Sequence, residues 1–335
     1  MFHRNRLAAA VFVLATLAVA ACCFPWPQAT SKNPSGLFVV TVDGRQGYIN
    51  RSGKLVIQPQ FDRAYGFTEG LAVVQVGGRH GYIDERGRFV INPQYEDAFS
   101  FYEGLAAVKQ GGRLGYVDKK GNLAIPFQFE DAGDFSQGLA RVSTGGRAGY
   151  IDKKGRLAIN PTFVTARKFA EELALVQTDA GWGYIDRDGN MAIPPRPDIA
   201  EAYDFAEGRA LVKSGDRYGF IDKKGGWAIP AQFDAGYSFA EGLAPVGVGS
   251  RGGYVDKSGK VVIQPQFDSV APFSEGLARM KAGDRWGYID KKGKIVIQAQ
   301  FEEAFDFNGR LAEVVVGGAR GYIDRDGRFV WNPSK

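Results

Sequence analysis

Cysteine, methionine and histidine are scarce in this chain of 335 residues, which contains two, three and two of them respectively. Both cysteines, Cys22 and Cys23, lie near the N-terminus, and His80 is the only histidine beyond His3. This composition excludes a zinc site with several histidine or cysteine ligands, and it excludes a cysteine nucleophile in the body of the chain. A histidine-based catalytic triad would have to be built around His80.

An excess of one charge sign is also nearly absent. The formal net charge is +5, and removal of the first 21 residues, which include Arg4 and Arg6, would lower it to +3. So small an excess gives no reason to expect a nucleic-acid partner. The sequence contains no phosphate-binding loop, no dinucleotide fingerprint and no calcium loop of alternating aspartates. We therefore expect no cofactor and no metal ion.

Only one long hydrophobic run occurs, the 15-residue stretch "LAAAVFVLATLAVAA" at residues 7–21. It follows the basic segment "MFHRNR" and is shorter than the ~20 apolar residues that a membrane span needs, so we expect an export signal. Ala18-Val19-Ala20 would suit an ordinary cleavage site, which would leave a soluble periplasmic or secreted protein. Val19-Ala20-Ala21-Cys22 resembles the lipobox of bacterial lipoproteins, and we favour it because both cysteines of the chain lie here.

The lipobox resemblance implies that residues 1–21 are removed and that Cys22 is lipidated. The protein would then be held in the cell envelope by a lipid anchor alone, and Cys23 in the next position implies the outer membrane. Residues 22–35 contain proline and serine and are predicted to form a tether. The remaining residues, 36–333, are predicted to form one repeat array.

A Gly-Tyr pair recurs at near-constant spacing through this array. Its glycine stands at residues 47, 81, 115, 149, 183, 219, 253, 287 and 321, so the interval is 34 residues except for one interval of 36. Nine such units identify a tandem-repeat protein.

Each unit contains three segments that are predicted to be antiparallel strands. The first is Ala-x-Val, in which a fixed, a variable and a fixed position alternate as in a strand with one packed face. The second is Gly-Tyr-Ile-Asp and the third is an apolar run. Between the last two stands Asp-x-x-Gly, which predicts a hairpin turn with glycine at the positive-φ position. The connector, for example Phe61-x-x-Ala64-x-x-Phe67, is predicted to be either a tight helical turn or an irregular loop. Its second phenylalanine recurs in all eight junctions, so we expect each of these rings to be buried between its unit and the next.

Taken together these motifs resemble the WG-repeat family of bacterial β-repeat proteins, whose pattern is W-G-Y-I-D-x-x-G-K-x-V-I-x-P-x-F…F-x-E-G-L-A. The resemblance covers residues 36–333 and implies an all-β tandem array with no defined reaction. The position before glycine is tryptophan only at Trp182 and Trp286, so a tryptophan-based role of the family does not carry over to the other seven units. We expect nine three-stranded units of about 34 residues in an open or superhelical solenoid. The alternative is a β-propeller, which ordinarily has four to eight four-stranded blades.

Two recurrent residue types are candidate ligand contacts. Amphipathic rings with arginines nearby could bind a glycan or an anionic polymer by stacking and hydrogen bonding. The alternative is that these tyrosines pack between units. The candidates are Tyr82, Tyr116, Tyr150, Tyr184, Tyr254 and Tyr288, with Trp182 and Trp286, and Arg79, Arg113, Arg147, Arg251 and Arg285.

Carboxylates are the remaining candidates for catalysis, since a glycosidase needs only two of them. A glutamate recurs in most connectors, as at Glu69, and a repeated acid is expected to be a turn residue or a partner for the repeated arginine. The irregular fifth junction, "PPRPDIAEAYDF", contains Asp198 and Glu201. We expect a non-enzymatic scaffold that presents a β-repeat surface to an envelope protein or a glycan. The alternative is an enzyme acting on peptidoglycan or exopolysaccharide through Asp198 and Glu201.

Overall fold

The computed structural model describes residues 33–334, and these consist of strands, turns and short loops. Within this range no helix is long and apolar enough to cross a membrane. The predicted signal peptide, Cys22 and residues 22–32 of the predicted tether lie outside the described residues. Asn33, Pro34 and Ser35, the end of that tether, form a turn that leads into the first strand.

The strands form nine antiparallel sheets, which we call blades 1 to 9; blade 1 has three strands and each other blade has four. Blade 1 comprises β1 Leu37–Val42, β2 Arg45–Asn50 and β3 Leu55–Phe61. Blades 2 to 5 comprise β4 Arg63–Ala64, β5 Leu71–Val76, β6 Arg79–Asp84, β7 Phe89–Tyr95; β8 Asp97–Ala98, β9 Leu105–Gln110, β10 Arg113–Asp118, β11 Leu123–Phe129; β12 Asp131–Ser136, β13 Leu139–Thr144, β14 Arg147–Asp152, β15 Leu157–Phe163; and β16 Thr165–Ala166, β17 Ala174–Thr178, β18 Gly181–Ile185, β19 Met191–Ile193.

Blades 6 to 9 comprise β20 Glu201–Ala206, β21 Arg209–Ser214, β22 Arg217–Ile221, β23 Trp227–Phe233; β24 Ala235–Gly236, β25 Leu243–Val248, β26 Arg251–Asp256, β27 Val261–Phe267; β28 Ser269–Val270, β29 Leu277–Ala282, β30 Arg285–Asp290, β31 Ile295–Phe301; and β32 Glu303–Ala304, β33 Ala312–Val316, β34 Ala319–Ile323, β35 Phe329–Ser334. We call the four strands of a blade A, B, C and D in chain order. Within residues 33–334, blade 1 shows strands B, C and D only.

The predicted hairpin between strands C and D is confirmed, as blade 2 illustrates. The Gly87 amide donates to the Asp84 carbonyl at 2.9 Å, and Gly87 has a φ of 80°. The Asp84 carboxylate accepts the amides of Arg86 and Arg88 at 3.0 and 2.9 Å. Aspartate therefore closes the turn with its side chain, and glycine takes the left-handed conformation that other residues rarely adopt.

Glycine of the Gly-Tyr pair is required by a close approach rather than by its φ angle. A Cβ atom on Gly81 would lie 2.5 Å from the Ile91 carbonyl oxygen of strand D. The C–D register shifts between His80 and Tyr82, so the two backbones come together at this bulge. Only glycine leaves room for both strands.

The connector forms strand A, which the sequence did not predict. In blade 2 the Asp62 amide donates to the Gln75 carbonyl at 2.9 Å, and the Tyr65 amide donates to the Val73 carbonyl at 3.0 Å. Each connector thus leaves strand D of one blade and adds a short edge strand to the next blade. Three-residue spacing misled the prediction because it records packing between blades rather than a helical period.

Constant apolar positions meet between consecutive blades. One cluster joins Leu71 and Tyr82 of blade 2 to Phe101 and Val108 of blade 3. A corresponding cluster joins Phe38 and Val40 of blade 1 to Leu311 and Tyr322 of blade 9. The array is therefore closed into a nine-bladed β-propeller, and the predicted open solenoid is wrong.

Blades 9 and 1 meet at a junction that we call the seam, where two repeat positions carry residues that differ from those in the other junctions. The position that is Phe67 in blade 2 is Asn33 in blade 1, while the position that is Ala72 becomes Phe38. The Phe38 ring packs against Tyr322 with centroids 5.4 Å apart, where other junctions use the connector phenylalanine. The sequence prediction of an open array failed because it compared nine three-stranded units with ordinary propellers of four to eight four-stranded blades, whereas closure here uses side-chain packing.

Candidate binding surface

The tyrosines of the Gly-Tyr pairs are buried. Those predicted as ligand contacts are at most 2% exposed: Tyr82, Tyr116, Tyr150, Tyr184, Tyr254 and Tyr288. Tyr82 donates its hydroxyl to the Phe99 carbonyl of the next blade at 2.8 Å, and burial raises its pKa. These rings belong to the walls between blades, and no ligand can stack on them, which corrects the expectation from the sequence.

Connector phenylalanines complete these walls, as the sequence predicted. Their exposed fractions do not exceed 4%: Phe67, Phe101, Phe135, Phe169, Phe205, Phe239, Phe273 and Phe307. The Tyr82 and Phe101 rings lie 4.8 Å apart, and the same pair recurs at the following junctions. Each phenylalanine is a wedge between two blades.

The candidate arginines are exposed to solvent, but each of them faces an acidic side chain. Arg113 pairs with Glu130 at 3.6 Å, and its side chain is 51% exposed. Glu130 also accepts the amides of Gly145 and Gly146 in the turn of the next blade, at 3.2 and 3.0 Å, and these bonds lower the pKa of Glu130. The other candidate arginines face acids in a similar way: Arg79 with Glu96, Arg147 with Asp179, Arg251 with Asp268 and Arg285 with Glu302. These arginines could contact an anion, although most of them also link blades.

Trp182 and Trp286 are half-buried, and neither is a free platform. Trp182 packs against the cluster that contains Leu175 and Tyr184. Trp286 lies beneath the Arg279 guanidinium, 5.7 Å from the ring centroid. Both rings therefore fill gaps between blades.

The repeated connector glutamate forms a clasp between neighbouring blades. Glu69 accepts the amides of Glu103 and Gly104 at 2.7 and 3.0 Å, and Lys119 lies 3.0 Å from its carboxylate. Although burial opposes it, hydrogen bonds from Lys119 and these amides lower the pKa of Glu69. The prediction of a turn residue is confirmed, since Glu69 has a φ of 53°. Its cationic partner is a lysine 50 residues later rather than the repeated arginine, and that spacing is visible in the sequence.

At the fifth junction, each of the two candidate carboxylates is paired with a cation. Arg196 donates to both oxygens of Asp198, at 3.0 and 2.5 Å, and these bonds lower the pKa of Asp198. Lys213 lies 3.1 Å from Glu201, which also accepts the Tyr203 hydroxyl at 3.0 Å. Both carboxylates are thus paired with cations, and the hydrogen bonds from Arg196 favour the ionised form of Asp198 and disfavour its use as a proton donor.

Among residues 33–334, no three potential metal ligands lie together. His80 is buried, and its Nδ1 lies 3.1 Å from the Glu96 carbonyl oxygen. The only histidine of the repeats is therefore enclosed by the surrounding strands and contacts the backbone.

Three exposed aromatic side chains lie at one variable position of the repeat, directly after the two-residue strand A. Tyr65, Phe99 and Tyr237 occupy it in blades 2, 3 and 7 and are 43, 40 and 38% exposed. The backbone carbonyls of Tyr65 and Phe99 each accept the hydroxyl of a buried tyrosine in the preceding blade. The backbone at this position is thus fixed, while the side chain is free to vary. Sequence reasoning missed this row because its members differ from unit to unit.

A cavity of about 500 Å³ opens at the seam. It is bounded by β1, by strand A of blade 2, and by blade 9, with Tyr65, Tyr322 and Trp331 among its aromatic walls. Arg320 and Glu313 form an ion pair at its edge. The cavity lies where the other eight blades have strand A.

Comparison with solved structures finds likenesses at low sequence identity. The chain resembles a eukaryotic initiation factor with a TM-score of 0.62 and 11% identity, over 88% of this chain and 94% of that one. BamB from Moraxella catarrhalis gives a TM-score of 0.45 and 11% identity, over 89 and 94% of the two chains. At 11% identity the likeness to the initiation factor shows a shared fold alone. No curated protein matches the chain.

The family model described as "WG containing repeat" matches eight segments: residues 47–79, 81–113, 115–147, 149–180, 182–218, 218–251, 253–286 and 286–318. These segments cover most of the propeller and contain the motifs that build its blades. The chain belongs to the WG containing repeat family.

Proposed function

We propose that the protein is a non-enzymatic binding scaffold that presents the exposed aromatic side chains directly after strand A to an envelope protein or a glycan. The observation that supports this proposal is that constant and variable positions of the repeat have different roles. Constant positions form the walls and clasps, whereas the exposed rings of Tyr65, Phe99 and Tyr237 have no such task. Aromatic rings fixed on a rigid backbone lose little entropy on binding and are typical anchors of interfaces.

The proposed location is the cell envelope. The export signal and the lipobox resemblance support a lipid anchor on Cys22 in the outer membrane, with a soluble periplasmic or secreted form as the alternative. Cys22→Ala should move the protein from the membrane fraction to the soluble fraction. Retention of this variant in washed membranes would contradict lipidation.

The binding role is tested by replacing exposed rings. Phe99→Ser/Tyr237→Ser should reduce recovery of partners from an envelope extract, or retention on a glycan array, by at least tenfold. Val90→Ser/Val262→Ser is the matched control, because these D-strand residues are similarly exposed, at 41 and 44%. Equal losses in both double variants, or no loss in either, would contradict this surface.

A further inference from the structure

The clasp that joins consecutive blades is incomplete at the seam. At the seam the position of the clasp glutamate is Gly309, and the position of the clasp lysine is Arg51 of blade 1. In five other junctions the glutamate carboxylate lies 3.0–3.3 Å from a lysine in the C–D turn of the next blade: Glu69 with Lys119, Glu103 with Lys153, Glu171 with Lys223, Glu207 with Lys257 and Glu241 with Lys291. The seam therefore keeps the cation of the clasp without its acid.

The backbone part of the clasp is satisfied at the seam, but the charge of Arg51 is not paired. Asn33 Oδ1 accepts the Gly36 amide at 2.9 Å, as Glu69 accepts the amide of Gly104 in an ordinary clasp. Arg51 donates from Nε to the Gly309 carbonyl at 3.0 Å and from Nη2 to the Asn33 carbonyl at 3.2 Å. Both acceptors are neutral backbone oxygens, so neither supplies the negative charge of the missing glutamate.

Two further arginines line the same cavity as Arg51. Arg310 occupies a position that is glycine in most units, and Arg325 donates from Nη1 to the Glu275 carbonyl at 2.6 Å. The Glu275 carboxylate accepts the amides of Gly309 and Arg310, at 2.7 and 2.9 Å. Among the described residues, none of the three guanidinium groups forms a salt bridge with a carboxylate. The seam thus holds three arginines without an acidic partner.

Two other junctions also lack the clasp glutamate, and their charges differ from those of the seam. Between blades 1 and 2 the glutamate position is Ser35 and the cation position is Glu85, so the acid and the cation are lost together. Between blades 4 and 5 the glutamate position is Gln137, and the residue whose amide it accepts at 3.0 Å is itself an acid, Glu172. One junction loses its cation and the other keeps an acid, whereas the seam gains a cation.

The cavity that the three arginines line has a volume of about 310 Å³, and we call it the arginine cavity. A guanidinium group has five N–H donors, of which Arg51 uses two and Arg325 uses one in the bonds above. The two acids of the cavity have partners of their own. Asp324 accepts the amides of Asp326 and Arg328, at 3.0 and 2.9 Å, and Asp326 pairs with Arg328 at 3.1 Å. The arginine cavity therefore offers several N–H donors and an excess of positive charge.

We propose that the arginine cavity binds a phosphate group, either as free phosphate or as the phosphate of a phosphorylated small molecule. Phosphate is acceptor-rich and carries up to two negative charges near neutral pH, and the planar fork of a guanidinium group matches its oxygens. Three guanidinium groups can share the oxygens of one phosphate, whereas a carboxylate has only two oxygens. The cavity volume lies at the small end of the ~300–1,000 Å³ that is typical of ligand sites. This site goes beyond the proposed function, because none of its residues carries the exposed rings assigned there.

The test is isothermal titration calorimetry of the full chain at low ionic strength, with inorganic phosphate, glucose 1-phosphate and glucose as probes. We expect saturable binding of phosphate at a single site and no binding of glucose. Tighter binding of glucose 1-phosphate would assign the site to a phosphate carried by a larger molecule, and tighter binding of inorganic phosphate would assign it to the free ion.

Arg310→Gly should weaken phosphate binding at least tenfold, because it removes one of the three guanidinium groups. The fold should not suffer, since Arg310 has a φ of 78° and glycine adopts this conformation readily. Lys292→Ser is the matched control, because it removes an exposed cation from the C–D turn of blade 8, outside the cavity. It should leave the affinity within about twofold. Urea unfolding of both variants will show that the propeller is intact.

Arg51→Lys keeps the charge and should still weaken binding by at least threefold, because lysine lacks the planar fork. Lys119 shows where the ammonium group would lie, since it donates to the Glu69 carbonyl at 3.0 Å, the group that corresponds to the Gly309 carbonyl. Absence of saturable binding for both phosphate probes would overturn the proposal, as would glucose binding as tightly as glucose 1-phosphate. Unchanged affinity in folded Arg310→Gly would overturn it too. Equal losses in Arg310→Gly and Lys292→Ser would show an effect of net charge alone and would also overturn it.

Discussion

Two junctions of the propeller place an aspartate at the same position, just before the connector phenylalanine, with opposite surroundings. Between blades 8 and 9, Arg279 donates from Nε to Asp306 at 2.7 Å and from Nη1 to the Ala304 carbonyl at 2.9 Å. Between blades 5 and 6 the acid is Asp204, and the position of Arg279 is filled by Leu175. Asp204 is 8% exposed, and its Oδ1 has no hydrogen-bond partner among the described residues.

The difference shows that one residue in a neighbouring blade decides whether a repeated acid stabilises the ring. Burial raises the pKa of Asp204, while Arg167 and Lys168 nearby act in the opposite direction. Burial also raises the pKa of Asp134 in blade 4. In the preceding blade, the residue at the position of Arg279 is Ala107. A buried charge is costly without a paired partner, so Asp204 is a destabilising site within the ring.

The largest effect should be common to both junctions and should come from the constant wedge. Phe307→Ala and Phe205→Ala should each lower the free energy of unfolding by about 3–5 kcal/mol, since both rings are almost fully buried. Urea unfolding measures the loss. Hydrogen exchange should accelerate in all nine blades, because a closed ring shares its contacts. Acceleration confined to two blades would contradict closure.

Removal of Arg279 should convert the first junction into the second. Arg279→Leu leaves Asp306 without its cation and should cost about 2–4 kcal/mol, below the value for a fully buried pair because Asp306 is 26% exposed. Arg279→Leu/Asp306→Ser should recover most of this loss, because Leu211 and Ser238 occupy these positions between blades 6 and 7. A double variant as unstable as Arg279→Leu would show that the arginine acts by packing alone.

The smallest effect is a gain in stability that depends on pH. The pKa of Asp204 is higher in the folded protein than the ~3.9 of an unfolded aspartate, so the folded state binds more protons and stability falls as pH rises through that window. Asp204→Asn should therefore stabilise the protein by about 1–2 kcal/mol at pH 7. The gain should shrink below pH ~4, where the aspartate is protonated in both states.

Urea midpoints at pH 7 and pH 3.5 measure this change. Asp306→Asn is the control and should destabilise the protein at pH 7, because it weakens the pair with Arg279. A stability difference between Asp204→Asn and wild type that is the same at both pH values would contradict the assignment.

Local chemistry was predictable from the sequence, and contacts between blades were not. The Asp84 turn and the nine-unit period follow from residue types within a few positions of each other. Strand A was missed because its residues pair with a strand several residues later and show no alternation of their own. The Tyr82 ring was misread as a ligand contact because an amphipathic ring has the same letter whether its hydroxyl meets water or the Phe99 carbonyl.

The sequence by itself determined the all-β repeat, its hairpins and the buried phenylalanines, because turn geometry and burial depend on neighbours along the chain. Only the tertiary structure decided that the array closes at nine blades. Closure depends on the angle between successive blades and on a meeting of Phe38 with Tyr322, which are 284 residues apart in the sequence. The same meeting borders the seam cavity, since Phe38 and Tyr322 are both among its lining residues.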